Sequence, residues 1–238
     1  MIMSMYRHFY SPGGNTYYTV LPLWAVARKS IRHNGMPWLE PQWSGGGEQS
    51  GLCLYVSRLD ATITATLLNE NEEGEHWSVY PFIDMNITEM MIDLAQTHNK
   101  NKFNIMLCFG FAIDDFRRLI KAHSIFRLVQ FYSTFNISDT IRYPENPAIL
   151  KFSGNDFDHI NKYWAQEFKD YIDIIASYND FKPPRIADLA KEALEKAAIT
   201  CTPVLTGENN YTVSSFSITK REWIVSSLDI NGATNKIH

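Results

Sequence analysis

Three polar residues of this chain, Arg7, Ser57 and Glu222, lie in segments that otherwise have the apolar or aromatic composition of β-strands. An arginine can bind a pyrophosphate through two parallel hydrogen bonds, a geometry that lysine does not offer. A carboxylate can hydrogen-bond a ribose hydroxyl and offset the positive charge of an oxocarbenium-like carbon. If the three side chains meet across a sheet, they could hold a dinucleotide and stabilise a sugar cation.

Each of these residues also has a simpler interpretation. Side chains alternate between the faces of a strand, so only one of Arg7 and His8 can face a given pocket, and Arg7 could be a surface residue of an edge strand. Tyr55 and Ser57 share one face and could offer a ring to a flat base and a hydroxyl to a ribose. Serine is also common where a strand turns, and Glu222 could be a solvated charge at the end of a hairpin. The sequence leaves both interpretations open.

The order of these segments resembles the mono-ADP-ribosyltransferase fold of the Arg-Ser-Glu class. The resemblance lies in a Tyr-Arg pair ending at Arg7, a Tyr-Val-Ser strand ending at Ser57 and followed by a helix with alanines, and a late Glu-Trp-Ile-Val strand beginning at Glu222. It implies that Arg7 binds NAD phosphate, that Ser57 supports the nicotinamide ribose and the glutamate, and that Glu222 is the catalytic residue. NAD would be a co-substrate, and the bond between its nicotinamide and ribose would be cleaved.

Other residues near these segments could complete an NAD site. The ring that stacks on nicotinamide would come from one of four aromatic residues, namely Trp43, Tyr55, Trp77 or Tyr80. His8 would also contact the cofactor, and a variant of the constellation would use His8, Tyr55 and Glu222. In that variant Phe9 replaces the glycine that the family has after its histidine.

Two positions depart from the family pattern. Leu59 stands where the family usually has a second hydroxyl residue, and Lys220 stands where it often has Glu or Gln. The second departure leaves the acceptor open between protein and nucleic acid. The leading hypothesis is an NAD-dependent ADP-ribosyltransferase, such as a bacterial or phage toxin or effector with a neutralising protein partner. The alternative is a non-catalytic interaction module that keeps the scaffold and uses the helical block to bind another protein.

The elements that would position these residues predict an α+β fold, with a split mixed or antiparallel β core from both ends of the chain and a helical insertion between them. Residues 1–86 would form the N-terminal part of the core, residues 87–200 the helical block, and residues 201–238 the strands that complete the core. Asp60 is a predicted N-cap. Apolar spacing predicts helices over residues 21–31, 60–68, 88–97, 114–131, 163–178 and 186–198. The glycines at residues 45–47 lack the spacing of a phosphate-binding loop.

Composition argues against several classes of function. A formal net charge of -4 gives no global attraction to nucleic acid or acidic membranes, so any nucleic-acid contact must be local. The 3 cysteines are widely spaced in apolar segments, which disfavours a disulfide framework and a zinc cluster, and no metal is predicted. No stretch approaches the ~18 apolar residues of a membrane span, and we recognise no signal peptide. We expect a cytoplasmic protein.

Overall fold

The computed structural model describes residues 7–11, 13–31, 35–44, 51–71, 76–98, 102–136, 147–165, 167–168, 171–201 and 212–226. These residues form a mixed α+β architecture with two mixed sheets, so the predicted fold class is confirmed. The glycine run at residues 45–47 lies outside the described residues.

The described elements follow one another along the chain without a repeated unit. The strands are β1 (Arg7–Tyr10), β2 (Thr16–Thr19), β3 (Trp24–Ile31), β4 (Pro37–Pro41), β5 (Trp43–Ser44), β6 (Gly51–Tyr55), β7 (Trp77–Pro81), β8 (Lys102–Ile113), β9 (Leu119–Ala122), β10 (Ile125–Phe126), β11 (Leu128–Asn136), β12 (Ile149–Lys151), β13 (Ile199–Cys201), β14 (Thr212–Ser217) and β15 (Glu222–Ser226). The α-helices are α1 (Arg58–Asn71), α2 (Ile87–His98), α3 (Gly154–Trp164), α4 (Tyr171–Asn179) and α5 (Pro183–Glu195).

A 12-stranded mixed sheet forms most of the fold, with β10-β9-β8-β6-β3-β4 as its main order. Strands β6 and β8 run parallel, with Tyr55 opposite Cys108. Because α1 begins directly after β6, the carboxyl end of β6 and the N-terminus of α1 meet at Ser57. Strand β14 pairs with the far end of β8, and β15, which begins at Glu222, pairs with β14 as an antiparallel hairpin.

A second, 3-stranded sheet has the order β1-β2-β12, with β1 antiparallel and β12 parallel to β2. On its inner face, Phe9 stacks on Tyr17 with 4.8 Å between ring centroids, and Tyr17 packs near Phe82 at 5.4 Å. This face contributes to the main apolar core, which also contains residues of the large sheet and of α3 and α4. The two sheets therefore share one core.

The helix predicted over residues 21–31 is wrong, because residues 24–31 form β3. β3 pairs with β7 along one side and with β4 and β6 along the other. Its first half, residues 24–27, is buried on both faces. A strand buried on both faces shows a continuous apolar run, which periodicity does not distinguish from a buried helix.

The helix predicted over residues 114–131 is also wrong, because this segment forms β9, β10 and the start of β11. Arg117 and His123 have positive φ angles of 60° and 55°, which break a helix and allow tight turns. Asp114 fixes the first turn, since its Oδ1 accepts hydrogen bonds from the N–H groups of Phe116 at 3.0 Å and Arg118 at 2.8 Å. Residues 87–200 therefore contain strands as well as helices, including the long strands β8 and β11.

Other helix predictions are confirmed in place. The predicted helices over residues 60–68, 88–97 and 186–198 correspond to α1, α2 and α5. The helix predicted over residues 163–178 is divided between the end of α3 and α4. The division of the chain into a split core and an inserted block stays a prediction.

Asn69 of α1 lies beside β7, which pairs with β3 in the described part of the chain. The amide of Asn69 donates to the carbonyl of Trp77 at 2.9 Å, and its Oδ1 accepts the N–H of Trp77 at 2.7 Å. These two bonds reproduce the pair that a neighbouring strand would make. At the other end of β7, Pro81 has no N–H to offer.

Candidate functional site

Ser57 lies at the junction of β6 and α1 and is 1% exposed. Its Oγ accepts a hydrogen bond from the backbone N–H of Asp60 at 3.2 Å, and its carbonyl accepts the N–H of Ala61 at 3.1 Å. This is the geometry of an N-cap, so the cap of α1 is Ser57 and the prediction that Asp60 is the cap is wrong. The hydroxyl stabilises the first turn of the helix.

Tyr55, two residues earlier in β6, is 0% exposed. Its hydroxyl donates to Oε1 of Gln42 at 2.6 Å, and its ring packs in a core cluster with Trp24 and Cys108 among others. Burial raises the pKa of the Tyr55 hydroxyl well above its usual value. In this structure the ring is enclosed by protein and does not offer a face to a ligand.

Arg7 and His8 lie on β1, at the edge of the 3-stranded sheet. Arg7 is exposed, and His8 is half-buried between two tyrosine rings. The His8 ring stacks on Tyr18 with centroids 4.1 Å apart and an angle of 12° between the planes. On its other side, Tyr10 lies 3.8 Å away at an angle of 47°. The first strand therefore presents a cation and a set of stacked rings.

Glu222 is exposed at the start of β15, opposite Ser217 in the hairpin with β14. The preceding residue, Arg221, has a positive φ of 56° and forms an ion pair with Glu192 of α5. Trp223 anchors the other side of Glu222, because its Nε1 donates to the carbonyl of Ala193 at 2.9 Å. The hairpin is thus fixed to α5 while the carboxylate of Glu222 faces solvent.

The structure places the three residues of the predicted triad in different local surroundings. Arg7 belongs to the small sheet, Ser57 to the buried end of β6, and Glu222 to the hairpin on α5. No hydrogen bond or ion pair within the described residues joins one of them to another. Their assembly around one cofactor stays a prediction.

Two further predicted cofactor contacts, Trp43 and Tyr80, are half-buried residues of β5 and β7. Trp43 lies opposite Leu52 of β6, and Tyr80 lies opposite Ala25 of β3. Both pack against the main apolar core. Their contacts with the core explain their aromatic character without a ligand.

Asp60, which was not among the predicted site residues, has the most strongly shifted pKa of the described carboxyl groups. It is fully buried, and neither carboxyl oxygen has a hydrogen-bond partner among the described residues. Burial raises its pKa to about 7. The electrostatic neighbours of this carboxyl include the Cys108 thiol and the Tyr171 hydroxyl. The Ser-x-x-Asp spacing after an apolar strand was the sequence signal for this position.

Cys108, an electrostatic neighbour of Asp60, and Cys53 are buried and free. Burial raises the pKa of the Cys108 thiol well above its usual value. A thiol with a raised pKa is a poor nucleophile at neutral pH because little thiolate is present. The structure thus agrees with a packing role for Cys108.

An open cleft of about 230 Å³ lies between α1, β7 and the start of α5. Arg58 forms one end of it, stacking over the Trp24 ring at 4.7 Å and donating to the carbonyl of Phe181 at 2.8 Å. Ligand pockets for drug-sized molecules usually measure about 300 to 1,000 Å³. The cleft is therefore too small to enclose a whole dinucleotide.

Neither a search of the described residues for metal and membrane sites nor comparison with known proteins suggests a function. Among the described residues there is no group of three or more His, Cys, Asp or Glu side chains suited to a metal ion. In the same part of the chain, no helix is both long enough and apolar enough to cross a membrane. No protein-family model, curated protein or solved structure matches this chain.

Proposed function

We propose that this protein acts by binding a macromolecular partner and does not cleave NAD. The observation that carries the proposal is the environment of Ser57, whose buried hydroxyl accepts the Asp60 N–H and caps α1. The neighbouring ring of Tyr55 is enclosed and bonded to Gln42. Ser57, expected at the nicotinamide ribose, and Tyr55, a candidate for stacking on nicotinamide, thus have structural contacts, which supports a non-catalytic interaction module on this scaffold.

The second candidate is an NAD-dependent ADP-ribosyltransferase that uses Arg7, Ser57 and Glu222, with a protein or nucleic acid as acceptor. The observation that favours it is the exposure of both charged groups, Arg7 and Glu222. An exposed guanidinium can bind phosphate in two-pronged geometry, and an exposed carboxylate can reach a ribose. In this function Ser57 would have to release α1 before its hydroxyl could contact a ribose.

Release of nicotinamide from NAD separates the two candidates. The wild-type protein, Glu222→Gln and the matched control Glu195→Gln are each incubated with NAD and a cell lysate as the source of acceptors. Glu195 is an exposed carboxylate of α5 and has no place in the predicted triad. We expect none of the three proteins to release more nicotinamide than a blank that contains NAD and lysate alone.

One result would overturn the binding proposal in favour of the transferase. This is nicotinamide release by the wild type that is lost in Glu222→Gln and retained in Glu195→Gln, because only a catalytic carboxylate gives that pattern. Transfer of label from NAD to an acceptor in the same samples would identify the acceptor as protein or nucleic acid.

A further inference from the structure

The outer face of the 3-stranded sheet carries three aromatic rings in a row, Tyr10, His8 and Tyr18. His8 and Tyr18 lie directly opposite each other on β1 and β2, and their rings are nearly parallel at 4.1 Å. Tyr10 follows His8 on the same face of β1 and lies 3.8 Å from it. We call these three residues the aromatic row.

The aromatic row is separate from the apolar core. Side chains alternate along a strand, so the row points away from Phe9 and Tyr17, which pack inward on the other face. Tyr10 is 66% exposed, and Ile149 on β12, which shares the row's face, is 50% exposed. Exposed large apolar side chains that cluster on one face are typical of interaction surfaces. The face thus has the composition of a binding surface.

The charge of this face is positive. Lys151 of β12 lies opposite Tyr18, and its ammonium is 5.7 Å from the centroid of that ring. The described residues of the face are His8, Tyr10, Thr16, Tyr18, Ile149 and Lys151, and none of them is acidic. Arg7 is also exposed on the edge strand β1, but it alternates with His8 and lies on the other face with Phe9. A local positive charge on a chain of net charge -4 favours a polyanionic partner at this face alone.

We propose that this face binds single-stranded nucleic acid, with a base stacking on the exposed ring of Tyr10 and a backbone phosphate near Lys151. Aromatic rings with adjacent cations on an open sheet surface are the usual means of binding unpaired bases. A duplex fits poorly, because its bases are already stacked and offer no free face. The inference rests on the proposed function in that it names the class of the bound partner.

Fluorescence anisotropy with a fluorescein-labelled oligothymidylate tests this proposal. An oligonucleotide of about 12 nucleotides lies within the range of known single-strand binding sites. The wild type is expected to bind it at low salt, and Tyr10→Ala to weaken binding about tenfold, as expected for the loss of one stacked base. Tyr10→Phe keeps the ring and is expected to bind like the wild type. Because Tyr10 is exposed, both variants are expected to fold, which circular dichroism checks.

The salt dependence of the binding constant tests whether Lys151 contacts a phosphate. One phosphate contact, at Lys151, predicts a slope of about -0.7 for the logarithm of the binding constant against the logarithm of salt concentration. Lys151→Gln is expected to remove most of that slope. Phe116→Ala is the matched control for Tyr10→Ala. Phe116 is an aromatic residue that is 78% exposed in the turn before β9, beside Arg118.

Three results would overturn the proposal. They are the absence of wild-type binding to oligothymidylate at low salt, equal losses in Tyr10→Ala and Phe116→Ala, and equally tight binding to a duplex of the same length. The first result would turn attention to a protein partner and leave the proposed function standing. The proposed function fails instead through nicotinamide release that depends on Glu222, which the oligonucleotide assay does not measure.

Discussion

The junction of β6 with α1 and the outer face of the 3-stranded sheet both place polar and aromatic side chains in strands, yet they differ in exposure. At the junction, Tyr55 and Ser57 are enclosed and each has a partner within the protein. On the sheet face, Tyr10 is largely exposed, and the row contacts Lys151. A polar residue in an apolar strand therefore indicates either a structural bond or a ligand contact, and exposure decides between them.

The largest difference between the two regions is expected from the same substitution in each. Tyr55→Ala removes a buried ring and leaves the side chain of Gln42 without its hydrogen-bond donor, so we expect it to lower the free energy of unfolding by about 4 to 5 kcal/mol. Tyr10→Ala removes an exposed ring and should change the free energy of unfolding by no more than about 0.5 kcal/mol. Urea unfolding of both variants measures the contrast. Equal losses would show that the sheet face is part of the core.

The pH dependence of stability is expected to come largely from Asp60. Burial raises its pKa to about 7 in the folded protein, against ~3.9 in an unfolded chain. The folded state therefore binds this proton more tightly, so the stabilisation is complete below pH ~4 and is lost as the pH rises through 7. The loss is up to about 4 kcal/mol.

Urea unfolding between about pH 4 and pH 8 measures this slope. The Asp60→Asn variant has no titrating group at the position, so its stability should change less over that range. A wild-type protein with no loss of stability across this range would contradict the buried, unpartnered state of Asp60. The Cys108 thiol and the Tyr171 hydroxyl are electrostatic neighbours of the carboxyl, and neither carries a positive charge that would offset its ionisation.

Loss of the helix cap at Ser57 is expected to have a smaller effect than the loss of the Tyr55 ring or the ionisation of Asp60. Ser57→Ala removes the cap of α1 and should cost about 1 kcal/mol. Ser177→Ala is a suitable control, because the Ser177 hydroxyl is exposed and bonds only the Ile174 carbonyl in its own helix. Thermal unfolding of both variants measures the difference. A Ser57→Ala protein as stable as the control would remove the structural explanation for this serine and strengthen the catalytic one.

The sequence predicted the fold class and the place of α1 because these depend on local signals. An apolar strand followed by Ser57 and an apolar helical period indicates a β-α junction wherever it occurs. The same local signals could not separate an N-cap from a catalytic serine, since both need a hydroxyl after a strand. Burial at this junction depends on β8 and on α4, which contributes Asn179 beside Arg58, and both are distant in sequence.

β3 and the aromatic row were not predicted because both depend on pairings between strands. β3 was predicted as a helix because its residues 24–27 are buried on both faces, and its pairing with β7, β6 and β4 does not show in its own periodicity. Of the aromatic row, the sequence predicted only His8 as a binding residue. Tyr18 joins it through the β1-β2 register, and Lys151 joins it through a parallel strand much later in the chain.

The two hydrogen bonds between Asn69 and Trp77 have a consequence for solubility. A strand edge with free N–H and C=O groups can add a strand of another molecule, which is the first step of many aggregation reactions. At β7, the amide of Asn69 occupies the groups of Trp77, and Pro81 removes a donor at the other end. Because Asn69→Ala removes both of these bonds, we expect it to make this edge more accessible to a strand of another molecule.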